Sequence, residues 1–165
     1  MEKIKINNQK DILKIGLTDM NDKPILDEKG EVVYWEFDLS DIELPLKWNK
    51  IEFNSKKNRE YVRNQFIIID KKQDVKGKYL LSKNEEEKIK VINEYYKRET
   101  ENINSFLGEE GVEKFLNGRK PYWDMFDDIN DAIKQVLPKF ENVFDNINNR
   151  IKEKYKENNE ENVLE

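Results

Sequence analysis

The sequence predicts an α+β fold dominated by helix, with a small N-terminal antiparallel sheet followed by a bundle of long amphipathic helices. Three observations carry that reading. Residues 1–40 hold short runs of alternating or β-branched residues separated by Asn, Asp, Pro and Gly. From Asp41 onward the apolar residues recur every three or four positions in a charged background. Hydrophobic residues make up 36% of the chain and charged residues 39%, a balance suited to long helices that each bury one narrow stripe. At 165 residues one domain is expected over 1–155, with a β segment at 1–40 and a helical body at 41–155.

In the β segment, Ile4 and Ile6 alternate with lysines and 12–17 repeats the theme, so short strands are expected in the first twenty residues. Asn21-Asp22-Lys23-Pro24 and Asp27-Glu28-Lys29-Gly30 read as turns, because Asn and Asp side chains bond nearby backbone, Pro fixes φ and Gly tolerates the left-handed region. The best strand is 31–37, Glu-Val-Val-Tyr-Trp-Glu-Phe. A sheet this small is marginal alone, so Tyr34, Trp35 or Phe37 needs cover from a helix or a second subunit.

Ser40 and Asp41 are good N-caps and Pro45 is tolerated in a first turn, which opens a long helix from about Glu43 to Lys71, with a potential break near Asn54-Ser55. Ser82-Lys83-Asn84-Glu85 matches a capping box, and the helix it starts ends at Gly108. Glu110 to Asn117 makes barely two turns before Gly118. Pro121 is expected to open the last helix, whose stripe runs through Trp123, Phe126, Ile129 and Ile133, and Pro138 to kink or divide it. The polar stretch 156–165 is expected to be a disordered tail.

The chemistry available is narrow. With no His and no Cys, the commonest general base, the commonest soft metal ligand and the thiol nucleophile are missing, so no enzyme activity and no cofactor are expected. Asp124, Asp127, Asp128 and Asp131 fall at i, i+3, i+4 and i+7, an oxygen-rich face of the kind that binds Mg²⁺ or Ca²⁺. Carboxylates in a first helical turn are more simply explained by the macrodipole. The Gly108–Gly111 and Gly118–Lys120 loops match no phosphate-binding fingerprint. A net charge of −5 opposes nucleic acid, and nothing approaches the ~20 apolar residues of a membrane span, so neither is expected as a partner.

Aromatics are the better sign of binding. Trp35, Trp48, Tyr122, Trp123 and Phe126 exceed what a thin helical core needs, and aromatic anchors dominate protein interfaces. They are the candidate partner-binding residues, with Tyr122 and Trp123 foremost because they flank a loop. An alternative class is an acidic inhibitor of a basic nucleic-acid-binding host protein, built on Glu85-Glu86-Glu87, although Lys83, Lys88 and Lys90 dilute that face.

Three features together resemble the tail assembly chaperones of long-tailed phages and prophages of Gram-positive bacteria: the N-terminal β segment leading into the 35–45 run Trp-Glu-Phe-Asp-Leu-Ser-Asp-Ile-Glu-Leu-Pro, the charged helical middle, and the 106–111 loop followed past Gly118 by Met125-Phe126-Asp127-Asp128-Ile129. The resemblance spans roughly Ile4 to Leu137. It implies a non-enzymatic protein of the host bacterial cytoplasm, absent from the mature virion, that binds the tape measure protein, helps recruit tail-tube subunits and self-associates along its ligand. Many members of that family are also read through by a programmed frameshift into a longer form. The insertion between Thr18 and Gly30 and the extension beyond Pro138 depart from compact members, so no binding residue is carried over.

Overall fold

A computed structural model describes the backbone of residues 1–7 and 11–163, with side chains through residue 156. Two strands precede four helices: β1 (Ile12–Gly16), β2 (Tyr34–Asp38), α1 (Leu44–Asp70), α2 (Lys83–Leu107), α3 (Gly111–Leu116) and α4 (Met125–Val163). The fold is α+β and mainly helical.

β1 and β2 pair antiparallel, with Leu13 opposite Phe37 and Ile15 opposite Trp35. Side chains alternate along β2, so Trp35 and Phe37 are buried while Glu36 is exposed. The ribbon continues through isolated bridges at Thr18–Pro24 and Leu26–Val32. Two turns form, the first about two residues earlier than the expected 21–24, with Pro24 in a bridge, and each is organised by the aspartate that leads it. Asp19 Oδ1 accepts the N–H groups of Asn21 and Lys23 at 2.8 and 3.0 Å, and Asp27 Oδ1 those of Lys29 and Glu31, both at 2.9 Å. Residues 1–7 form no strand, and Ile4 and Ile6 stand exposed; alternation alone cannot make a strand without a ladder partner. Residues 8–10 of that predicted stretch lie outside the described residues.

The sheet is covered from within the chain. The Trp35 indole N–H donates to the Gly111 carbonyl at 3.0 Å, its ring stacks on Phe115, and Phe37 meets Phe106 and Phe140 at centroid distances of 5.3 and 4.9 Å. One hydrophobic cluster takes residues from β2, α1, α2, α3 and α4.

α1 runs unbroken past Asn54-Ser55 and takes in Phe66–Ile69 as helix. Its N-cap is Glu43, which has no side-chain cap; Asp41 acts one turn earlier, accepting the Glu43 N–H at 2.9 Å and pairing with Lys47 at 2.7 Å. The bond from the Lys47 ammonium is the main reason the Asp41 carboxyl sits below its ordinary pKa. The potential break near Asn54-Ser55 does not occur, and the Ser55 hydroxyl has a partner across the hairpin. Ser55 bonds the Glu99 carboxylate, Asn58 Nδ2 donates to the other Glu99 oxygen at 2.8 Å, and Asn102 Nδ2 donates to the Ile51 carbonyl and to Ser55 Oγ, both at 3.0 Å. Glu99 and Asn102 are buried, so these bonds form a polar ladder between antiparallel α1 and α2.

The capping box opens α2 as its sequence requires: Ser82 Oγ accepts the Glu85 N–H at 3.2 Å and Glu85 accepts the Ser82 N–H at 2.8 Å. Gly108 ends the helix at φ 92°, and Gly111 follows where an added Cβ would lie 2.4 Å from Leu107 Cβ. α4 starts at Met125 and not at Pro121, because the Tyr96 hydroxyl donates to the carbonyls of Tyr122 and Trp123 at 3.0 and 3.1 Å and holds that segment as a turn. Pro138 does not divide α4; its ring faces solvent between buried Val136 and Phe140, where the burial on either side offsets one missing backbone bond. The helix continues through Val163, so the backbone at 156–163 is helical where a disordered tail was expected. A helix already nucleated propagates readily through Lys and Glu. Residues 164–165 lie outside the described residues.

Gly111→Ala is expected to lower stability by about 1–3 kcal/mol, because the added methyl overlaps Leu107 and displaces the carbonyl that Trp35 bonds; the urea midpoint measures it. Ser82→Ala is expected to cost about 1 kcal/mol through loss of the cap, read the same way.

Candidate binding groove

The stripe of α2 divides into two parts. Ile103, Phe106 and Leu107, at its C-terminal end, are buried in the core. Nearer its N-terminus, Ile89, Ile92 and Tyr96 lie beyond the reach of β2 and α3 and form one wall of a groove of about 730 Å³. The other wall is the Pro121–Trp123 turn, and Lys97, Glu101 and Glu113 stand among the polar lining residues. This is an open apolar trough with a mixed-charge edge, the form in which an amphipathic helix docks.

The walls are fixed by bonds that leave the groove's apolar atoms free. Tyr96 ties the turn to α2 through its hydroxyl, and its ring packs against Phe126 with centroids 4.9 Å apart. Tyr122 donates to Asp128 Oδ2 at 2.6 Å and lies under the Arg119 guanidinium, 5.4 Å from the ring centroid. Arg119 is itself held by the carbonyls of Leu116 and Phe115 at 3.1 and 3.3 Å. At the far end Asn104 Oδ1 accepts the Val112 N–H at 2.8 Å and its amide donates to Glu113 at 3.1 Å.

Partial burial raises the Tyr96 and Tyr122 phenols above their ordinary pKa, with nearby aspartates adding to the effect. Behind them Tyr95 is pushed up to about 12, first by burial and then by the Glu99 carboxylate. Tyr96 and Tyr122 are structural donors, and all three phenols stay protonated at neutral pH.

The structure separates the five candidate partner-binding residues. Trp123 is 77% exposed at the mouth of the groove, and Tyr122 is half-buried in its wall. Trp35 and Phe126 are 1% and 7% exposed and are core residues in the monomer, a correction with a plain cause: Trp35 fills the space beneath α3, and Phe126 sits under Tyr95 and Tyr96. Trp48 is half-buried against Phe106, 5.2 Å between centroids, at the core's edge and away from the groove. Helical spacing puts Ile89, Ile92 and Tyr96 on the same face of α2 as Ile103 and Phe106, but it does not show that Ile89 and Ile92 lie outside the cluster that Tyr96 packs against.

Asp124, Asp127, Asp128 and Asp131 are exposed, with Asp128 bonded to Tyr122. Among the described residues no three His, Cys, Asp or Glu side chains converge to hold a metal ion. Among the described residues no helix is long and apolar enough to cross a membrane.

No family model, curated protein or solved structure matches the chain.

The raised Tyr95 pKa gives a signed expectation. A phenol whose folded-state pKa lies above its unfolded value of about 10 adds stability that is complete below pH 10 and is lost as pH rises toward 12. Tyr95→Phe is therefore expected to flatten the fall in thermal midpoint between pH 10 and 12 relative to wild type, as followed by circular dichroism.

Proposed function

We propose that this protein is a non-enzymatic binding protein that shelters an amphipathic helix of another polypeptide in the groove between α2 and Trp123, and that it does so as a phage tail assembly chaperone acting on the tape measure protein. The observation that carries the reading is Trp123, a large ring left 77% exposed beside Ile89, Ile92 and Tyr96 on walls held by hydrogen bonds. Rigid walls reduce the ordering cost of binding, so apolar contact converts more fully into affinity. The mechanism is masking. The bound helix buries its apolar face against the groove and is kept from aggregation while its polar face stays in water.

The resemblance in element order supplies the assignment to tail assembly, with tail-tube subunits as the second partner. An acidic inhibitor has less support, since the acids of the α1–α2 hairpin are interleaved with lysines. Ion pairs join Lys72 to Glu87, Lys88 to Asp70 and Lys90 to Glu86, and a phosphate mimic requires an unbroken acidic face.

The test is titration of the purified protein with the tape measure product encoded beside it, following tryptophan fluorescence. Trp123→Ala is expected to weaken binding about thirtyfold, roughly 2 kcal/mol at a central aromatic anchor, while leaving the urea midpoint unchanged. Phe53→Ala, on an exposed position outside the groove, is expected to bind as wild type. Absence of a complex, or equal binding by Trp123→Ala, would overturn the reading.

A further inference from the structure

The loop joining α1 to α2 carries a second apolar surface of a different kind. Tyr79 and Leu80 are 84% and 94% exposed, with Val75 and Ile68 beside them more than half or half exposed. Tyr79 and Leu80 are adjacent in the loop, Val75 lies four residues before Tyr79, and Ile68 is in the last turns of α1. They project from the end of a hairpin whose arms are 27 and 25 residues long, about 40 Å from the start of α1.

This shape is built into the chain. Asn84 ties the neck of the loop: its backbone N–H donates to Asp74 Oδ1 at 3.1 Å and its amide to the carbonyls of Ile69 and Lys72 at 3.2 and 3.1 Å. The Lys83 N–H closes the neck on the Val75 carbonyl at 2.9 Å. Within it the chain folds over Gly77, where an added Cβ would come 1.9 Å from the Leu81 oxygen. Closure over that glycine leaves Tyr79 and Leu80 on the outside.

The charge of the tip opposes that of the body. Between 71 and 83 there are five lysines and one aspartate, a local charge of +4 in a chain of −5. The neighbouring acids are engaged: Asp70 with Lys88, Glu87 with Lys72, Glu86 with Lys90, Glu85 in the capping box and Asp74 on Asn84. Lys71, Lys76, Lys78 and Lys83 are exposed and form no ion pair among the described residues.

We propose that this tip docks on an anionic lipid surface, with Tyr79 and Leu80 entering the headgroup–acyl boundary and the lysines on the lipid phosphates. A convex apolar point ringed by cations suits a fluid plane better than a folded partner, which would need a complementary pocket. The remaining −9 of the chain is repelled by the same surface, so contact is confined to the hairpin end and the molecule stands off with its groove free. This departs from the expectation of no membrane partner, which rested on the lack of a spanning segment and does not bear on surface binding. The proposal is independent of the groove's occupant.

Vesicle flotation of the full chain tests it, using phosphatidylcholine alone and phosphatidylcholine with phosphatidylglycerol. Wild type is expected to float only with the anionic vesicles and to be released by 0.5 M NaCl (on the order of a 4 Å Debye length). Lys76→Ala with Lys78→Ala is expected to weaken partitioning about thirtyfold, and Tyr79→Ser with Leu80→Ser at least about tenfold, with circular dichroism unchanged in both. A Leu80→Trp variant is expected to shift its emission to the blue on anionic vesicles. Failure of wild type to float, equal flotation by the Ser variant, or displacement from vesicles by polyglutamate with the same blue shift, which would indicate an acidic polypeptide as the true ligand, would each overturn it.

Discussion

Phe37 of β2, Phe106 of α2 and Phe140 of α4 meet with ring centroids 4.9 to 5.7 Å apart, and the rest of the architecture is arranged by that contact. It brings together three segments distant in sequence and gives a two-stranded ribbon the apolar cover it lacks alone. It lies within a core that takes the C-terminal end of α2 and the first part of α4, from Met125 to Phe140. The turns of α2 before Tyr95 extend past that cluster; the groove at Trp123 begins where they leave it, and the lysine-bearing loop lies at their far end.

Features set by a few neighbouring residues were legible in the chain itself. The capping box at Ser82, the Asp27 turn and the glycine stop at Gly108 need only local backbone and one or two side chains, and each is where the pattern put it; the first turn forms two residues early, on Asp19. The start of α4 was not legible, because the hydrogen bonds that delay it come from Tyr96, more than twenty residues away. Nor was the fate of the aromatics. Trp35 and Trp123 are equally suited to an interface by composition, and only the position of α3 over β2 decides that one is sealed and the other open. Helical periodicity reports which face of α2 is apolar, but not how much of its length the core reaches.

The two apolar surfaces differ in ways that set what each can meet. The groove is concave, bounded by hydrogen-bonded walls and edged by both signs of charge, properties that suit the polypeptide helix proposed for it. The loop is convex, self-closed and cationic, properties that select a charge and a phase boundary and carry little shape information. A chain with few apolar residues thus spends several of them outside its core, consistent with a molecule whose work is contact.

The buried ladder of Ser55, Asn58, Glu99 and Asn102 has a mechanical consequence. If α1 slid along α2 by one turn, about 5.4 Å, the Glu99 carboxylate would lose its donors while still enclosed, a penalty far larger than any gain from alternative apolar packing. Asn102 Oδ1 is already without a partner among the described residues, so the network has no spare capacity to absorb a shift. The two arms are therefore pinned in phase, and the hairpin behaves as a strut of set length that couples the orientation of its outer end to the core.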